Sequence, residues 1–366
     1  MSYLLIFGIC FLFFLLAEKA LQKKQYFRHF VVYSTIGISI LCLFAGARDY
    51  TIGVDVIHYV YPAYKDALLV DFQTYLSVYT KEQLYYIIAY FSSRIGSGMF
   101  FLLFINEAII VLPLAIAFYK LKDRFSYSFA MLMYMLLFYN FSLCYMRQFC
   151  AISILVLVSV LLREQNYRWS IILCIIAFFF HSSSIIISVA LFVVKFLKKW
   201  YQMALAIFVF LAALLLSTRL LPVLMTLGVI PSEYVERFYA TMTSGGINIG
   251  ELALYSIIYF VPICLSFRYM KRNDLVNYYK ACSFIGWIMI LASSLISIYF
   301  YRLTFYFRFF ALITLANSTK ETVVKGKVNR MLLYAFVLLI CLVHWWWFTI
   351  YINLEQTYPY MFQIGR

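Results

Sequence analysis

About twelve apolar runs, each near the length that crosses a bilayer, follow one another along this chain and leave it few ways to fold. Hydrocarbon about 30 Å thick needs about 20 helical residues to cross it. A water-soluble protein has nowhere to bury so many such runs. The expected fold is therefore all-α, a polytopic transmembrane helix bundle of about 12 spans. They fall at roughly 3–17, 30–46, 99–119, 125–143, 147–162, 169–181, 183–197, 201–217, 251–267, 279–299, 303–318 and 331–350. The bundle is its own core, so residues 1–366 read as a single integral membrane domain. Two connections are long, about 47–98 and 218–250. Within the first, 83–95 is apolar but short, and it reads as re-entrant rather than as a further span. An even number of spans leaves both termini on one side. The first run lacks a basic leader and a small-residue cleavage site, so it reads as a retained span.

The cations sort by type as well as by side. Thirty residues are Lys or Arg. Twenty of them lie in or beside alternate short connections, near residues 19–28, 120–124, 163–168, 195–199, 268–280 and 320–330, with 13 Lys to 7 Arg. The other ten are Arg48, Lys65, Lys81, Arg94, Arg147, Arg219, Arg237, Arg302, Arg308 and Arg366, 2 Lys to 8 Arg. A Lys-rich side is the cytoplasmic signature of a membrane protein. Both termini then fall outside. The Arg-rich opposite side departs from the usual depletion, and the planar guanidinium fork suits phosphate. The outer face is therefore expected to handle an anionic, phosphate-bearing substrate.

Composition closes other routes. The net charge of +15 is spread over short connections rather than one soluble face, which argues against nucleic acid. The eight Cys lie in or beside apolar runs and read as small buried hydrophobes without a disulfide framework. No phosphate-binding Gly-x-x-x-x-Gly-Lys loop occurs, so ATP-driven transport by this chain is not expected. Four dispersed His (His29, His58, His181, His344) give no metal-ligand spacing, and no metal or cofactor is expected. Trp345-Trp346-Trp347 reads as an interfacial aromatic belt.

Four short patterns stand out. Gly46-Ala47-Arg48-Asp49-Tyr50-Thr51-Ile52-Gly53-Val54-Asp55, followed by Tyr59, sits where the second span leaves the membrane. It is either an Arg–Asp turn or part of a site. Met146-Arg147-Gln148 starts a span, where an Arg either snorkels to the interface or has a role. Phe180-His181-Ser182-Ser183-Ser184 lies between two runs on the outer side, and its imidazole is a structural hydrogen-bonding group or a base. Tyr301-Arg302 is followed by Arg308, almost two helical turns deeper. A phosphate site and a buried ion pair each explain that pair. Glu107, from inside the bundle, is a candidate partner for Arg308.

Together, and in this order, these patterns resemble the EpsG/Wzy group of bacterial exopolysaccharide and O-antigen polymerases. The matching residues are Gly46-x-Arg48 with Gly53-x-Asp55 and Tyr59, Met146-Arg147-Gln148 with Ala151, Phe180-His181 with Ser183, the Tyr301–Arg308 stretch, and Tyr358-Pro359-Tyr360. The resemblance implies a GT-C-like glycosyltransferase of the inner membrane with its active site facing the periplasm. Its substrates would be undecaprenyl-pyrophosphate-linked glycans in membrane lipid, used without nucleotide sugar or an obligatory metal. A chain-length regulator protein is an expected partner, and nucleic acid is not. On this reading Arg147, Arg302, Arg308 and Arg48 are the candidate pyrophosphate-binding residues. Asp55 and His181 are the candidate bases, and the sequence does not choose between them. A flippase for the same lipid-linked oligosaccharide and an O-antigen ligase are the competing functions.

Overall fold

Apolar sequence becomes helix at every expected span but 201–217, which lies outside the residues described, as does most of 218–250. The computed structural model describes residues 2–22, 27–96, 98–196, 249–269, 274–295, 299–321 and 327–363, with isolated positions at 223, 225, 226 and 236. Among them there is no strand, only a single antiparallel bridge between Arg48 and Phe362. Five helices are long and apolar enough to cross a membrane: Ser2–Leu21, Phe27–Gly46, Phe100–Lys120, Met146–Arg163 and Val328–Ile352. Shorter apolar helices accompany them, among them α11 (Ser184–Phe196). The protein is a multi-pass, all-α membrane protein.

The chain divides into two compact units. The first comprises Met1–Ser188 with Val324–Arg366, and the second Val189–Val323. Within the first, helix α1 (Ser2–Gln22) buries Tyr3, Phe7, Cys10, Phe14 and Ala17. Their alternating spacing of four and three residues makes a single stripe. Leu4, Leu5 and Leu12 on its other faces are exposed, as lipid-facing side chains should be. Helix α2 (Phe27–Gly46) packs against α1 and against α6 (Phe100–Lys120). Helix α9 (Met146–Arg163) packs against α6 and α10 (Tyr167–Phe180) and is almost wholly buried.

Polar contacts at the helix ends sort this unit into two ends. At one, Lys120 meets Glu164 at 2.7 Å, and Ser126 and Ser128 donate to Glu18. At the other, the Tyr3 hydroxyl donates to the Thr357 carbonyl at 2.6 Å and Asp49 N–H to the Met361 carbonyl at 2.9 Å. The beginning and the tail of the chain thus share the end that carries Arg48.

The expected span 125–143 folds as two pieces, α7 (Tyr127–Leu137) and α8 (Tyr139–Cys144). The break falls at Phe138. Buried polar side chains gather beside the break, where Ser142 Oγ donates to the Tyr139 carbonyl at 2.7 Å. Tyr134 donates to Glu107 at 2.8 Å, Ser142 donates to the same carboxylate at 3.2 Å, and Trp345 Nε1 donates to Asn140 at 2.9 Å. Glu107, expected as a partner for Arg308, makes these bonds with Tyr134 and Ser142.

The long connection after α2 is helical as well. A π-helical turn at Val56–Val60 leads into α3 (Tyr61–Leu69), α4 (Phe72–Val78) and α5 (Gln83–Ser93). At about 1.5 Å per residue, the eleven residues of α5 span only about 16 Å, too short to cross.

In the second unit, α12 (Ile249–Tyr269), α13 (Asp274–Leu295) and α14 (Tyr299–Glu321) pack on one another. Gly286 lets α13 and α14 approach closely, since a Cβ there would stand 2.7 Å from Phe307 Cβ. Gly286→Ala is therefore expected to destabilise this unit by about 1–3 kcal/mol. A lower melting temperature of the purified protein in detergent is the readout, and an unchanged one contradicts the tight crossing.

Candidate active site

Two of the residues singled out from the sequence meet on a carboxylate that was not. Arg147 begins α9, and its Nη1 donates to Glu82 Oε2 at 2.7 Å. His181 ends α10, and its Nδ1 lies 2.5 Å from Glu82 Oε1. The Ser182 N–H also reaches Oε1, at 3.4 Å. Arg147 further donates to the Tyr86 hydroxyl at 3.0 Å and is ringed by Tyr59, Tyr85 and Tyr86, with ring centres 5.6–5.8 Å from its Cζ. The Glu82 side chain is 8% exposed, whereas Arg147 keeps 22% and His181 27% of their surface open. The carboxylate is thus the inner member of the cluster, and the cation and the imidazole are the members a substrate can reach.

Glu82 is held in a left-handed backbone conformation, φ 56° and ψ 40°. A non-glycine residue there costs about 1–3 kcal/mol, which surrounding contacts must offset. Glu82 also occupies the N-cap position of α5, yet its carboxylate makes no capping bond. Its oxygens face Arg147 and His181 instead.

Burial raises the Glu82 carboxyl. The hydrogen bond and charge of His181, then Arg147 and the Ser182 N–H, lower it, and the net is below the ordinary carboxylate value. A depressed carboxyl adds stability above its unfolded value, about 4.3, and loses it as pH falls through the lower folded value. The stability advantage of the wild type over Glu82→Gln is therefore expected to shrink below about pH 4. Melting curves of both proteins check this, and a gap that widens in acid contradicts it.

Asp55 precedes the π-helical turn, is largely buried, and lies close enough to Arg147 for their charges to interact. Arg48 plays a different part. It is 1% exposed, and its Nη2 donates to the Leu143 carbonyl at 2.9 Å and contacts Met146 Sδ at 3.3 Å. Leu143 is in the last turn of α8, where carbonyls lack helical partners. Arg48 thus closes one helix and seats the next, one residue before Arg147. Gly53 is required nearby. Its φ is 101°, and a Cβ would stand 3.1 Å from the Leu143 carbonyl.

The tail ties this loop down. Gly53 N–H donates to Gln356, Val54 N–H to Glu355, and Gln363 N–H to Ala47 at 2.8 Å. Tyr360 stacks on Phe44 with ring centres 4.0 Å apart.

Arg302 and Arg308 belong to the second unit and point differently. Arg302 is exposed, while Arg308 is 4% exposed. The Arg308 guanidinium lies 3.8 Å from the ring centre of Tyr255, 4.3 Å from that of Phe305 and 4.7 Å from that of Tyr301. Among the described residues no carboxylate lies within ion-pair distance of it, although Glu251 is near enough to feel its charge. Aromatic faces stabilise the buried cation. Arg302 and Arg308 thus do not present a shared two-arginine fork.

Glu82 is the residue that sequence reasoning missed. It is one of 15 Asp and Glu in the chain, and neither its spacing nor its neighbours distinguish it.

A family model described as the EpsG family matches residues 30–362. No curated protein and no solved structure matches the chain.

Proposed function

The chain belongs to the EpsG family, a group of polysaccharide-polymerase-like membrane proteins, and from that premise we propose that it polymerises lipid-linked oligosaccharide repeat units at the outer face of the bacterial inner membrane. The donor is a growing glycan on undecaprenyl pyrophosphate, and the acceptor is a hydroxyl of the next lipid-linked repeat. The observation that carries the reading is the convergence of Arg147 and His181 on Glu82.

The chemistry follows from the parts. The acceptor oxygen attacks the anomeric carbon of the donor sugar and its proton passes to His181 Nε2. The bond from that carbon to the diphosphate breaks, and its electron pair stays on the phosphate oxygen. Arg147, fixed by Glu82 and Tyr86, lies ready for that developing charge. Of the two candidate bases, His181 is favoured because a carboxylate on Nδ1 leaves Nε2 for the substrate. Asp55 is assigned to the electrostatic setting of Arg147. Arg48 is assigned to positioning, and Arg302 and Arg308 remain candidate cations for the lipid diphosphate or its glycan.

A strain lacking the gene tests the function. Loss of the glycan ladder with a persisting one-repeat band, and return of the ladder with the wild-type chain, is the expected result. Repeat units trapped on the cytoplasmic face indicate a flippase instead. Full polymer left on its lipid carrier indicates a ligase.

A further inference from the structure

We infer that Glu82 is the positioning residue of the transfer: it holds His181 with the proton on Nδ1 and Nε2 free, and anchors Arg147 beside it as part of one unit. The inference deepens the polymerase reading and rests on it for the chemical step. Its foundation is a matter of hydrogen-bond supply. A carboxylate has two acceptor oxygens, and here each meets a different donor group, Oε2 the Arg147 guanidinium and Oε1 the His181 imidazole. Arg147 can only donate, so Oε2 is committed. Oε1 accepts from the Ser182 N–H as well. A ring nitrogen 2.5 Å from such an oxygen carries a proton, and in the neutral ring that makes the other nitrogen the acceptor. Nδ1 is the buried atom of the imidazole, at ion-pair distance from Oε1 but out of line for an ideal hydrogen bond, and the exposed share of the side chain lies elsewhere on the ring. The left-handed backbone and the unused capping position are independent signs that this carboxylate is held in place for its contacts rather than for its helix.

Glu82→Gln separates positioning from mere stability. The amide has one oxygen, and the permanently charged Arg147 claims it. The amide NH2 then faces Nδ1, which must become the acceptor, and the proton moves to Nε2, the wrong tautomer for a base. The experiment uses the full chain in lipid nanodiscs with ¹⁵N-labelled histidine. The four histidines make the spectrum sparse, and His181→Gln identifies the His181 signal. The wild type is expected to show Nδ1 protonated and Nε2 bare, and Glu82→Gln the reverse. With lipid-linked repeat as substrate, kcat is expected to fall about 10²–10⁴-fold with KM little changed.

A wild-type His181 protonated on Nε2 overturns the inference. So does an unchanged tautomer or full kcat in Glu82→Gln. If that variant does not accumulate, the wild-type spectrum still decides, because a bare Nδ1 is incompatible with the proposed contact. The tautomer needs no turnover to be read. A wild-type chain that makes no polymer therefore refutes the function and leaves the placement of the proton standing or falling on the spectrum.

Discussion

An Arg147→Ala chain, inserted at normal level, is expected to yield a one-repeat band where the wild type yields a ladder, with transfer slowed by about 10²–10³-fold. The loss has two sources. The diphosphate leaving group no longer meets a guanidinium as charge develops on it. Glu82, only 8% exposed at its side chain, also loses its nearest cation. Removing one partner of a buried pair is damaging in itself, because the other charge stays desolvated. Arg147→Lys separates the two. It keeps a cation for Glu82 but not the planar fork that serves Glu82, Tyr86 and a phosphate together. It is expected to restore the thermal stability that the Ala variant loses, and only part of the ladder. Full ladders from both variants would remove Arg147 from the site.

Ending the chain after Leu354 is expected to cost as much activity by a different route. The tail removed accepts from Gly53 and Val54 at 3.1–3.2 Å and from Asp49 at 2.9 Å, and it bridges Arg48 at Phe362. It also provides the Thr357 carbonyl that accepts from Tyr3 and the Tyr360 ring stacked on Phe44. Each buried backbone group left unsatisfied costs about 1–3 kcal/mol. Several together rival the whole stability of a small domain, about 5–15 kcal/mol. The segment 47–60, with Arg48 and Asp55 on it, should become cleavable by protease, and the ladder should disappear. A truncated chain that resists cleavage and polymerises normally contradicts the role given to the tail.

The helical framework was legible because lipid imposes it. Uninterrupted apolar runs between basic connections leave the backbone no alternative to helix. Arg147 and His181 were legible as charged or titratable groups at the outer ends of apolar runs. Their meeting was not, because it depends on how α5, α9 and α10 are set against one another. Glu82 was hidden for the same reason, and its left-handed backbone has no glycine to announce it.

Arg48 shows the limit in the other direction. Its residue type suits phosphate, but the acceptor it meets is a helix-terminal carbonyl 95 residues away in sequence. The break at Phe138 likewise lacks a signal, since residues 127–145 contain neither Pro nor Gly. Beside it Tyr134 and Ser142 bond Glu107 and Trp345 bonds Asn140, contacts no local propensity encodes. Arg302 and Arg308 were read as a pair from their spacing on a helix. The packing of α12 against α14 encloses one among aromatic rings and leaves the other exposed.

The most direct measurement of the central claim is turnover by the purified chain in lipid vesicles, given a lipid-linked repeat unit and no nucleotide or other enzyme. The account predicts a glycan ladder with one undecaprenyl pyrophosphate released for each repeat added, and neither ladder nor release from His181→Gln. Polymer formed at the wild-type rate by His181→Gln, or repeat units moved across the bilayer without any new glycosidic bond, would contradict it.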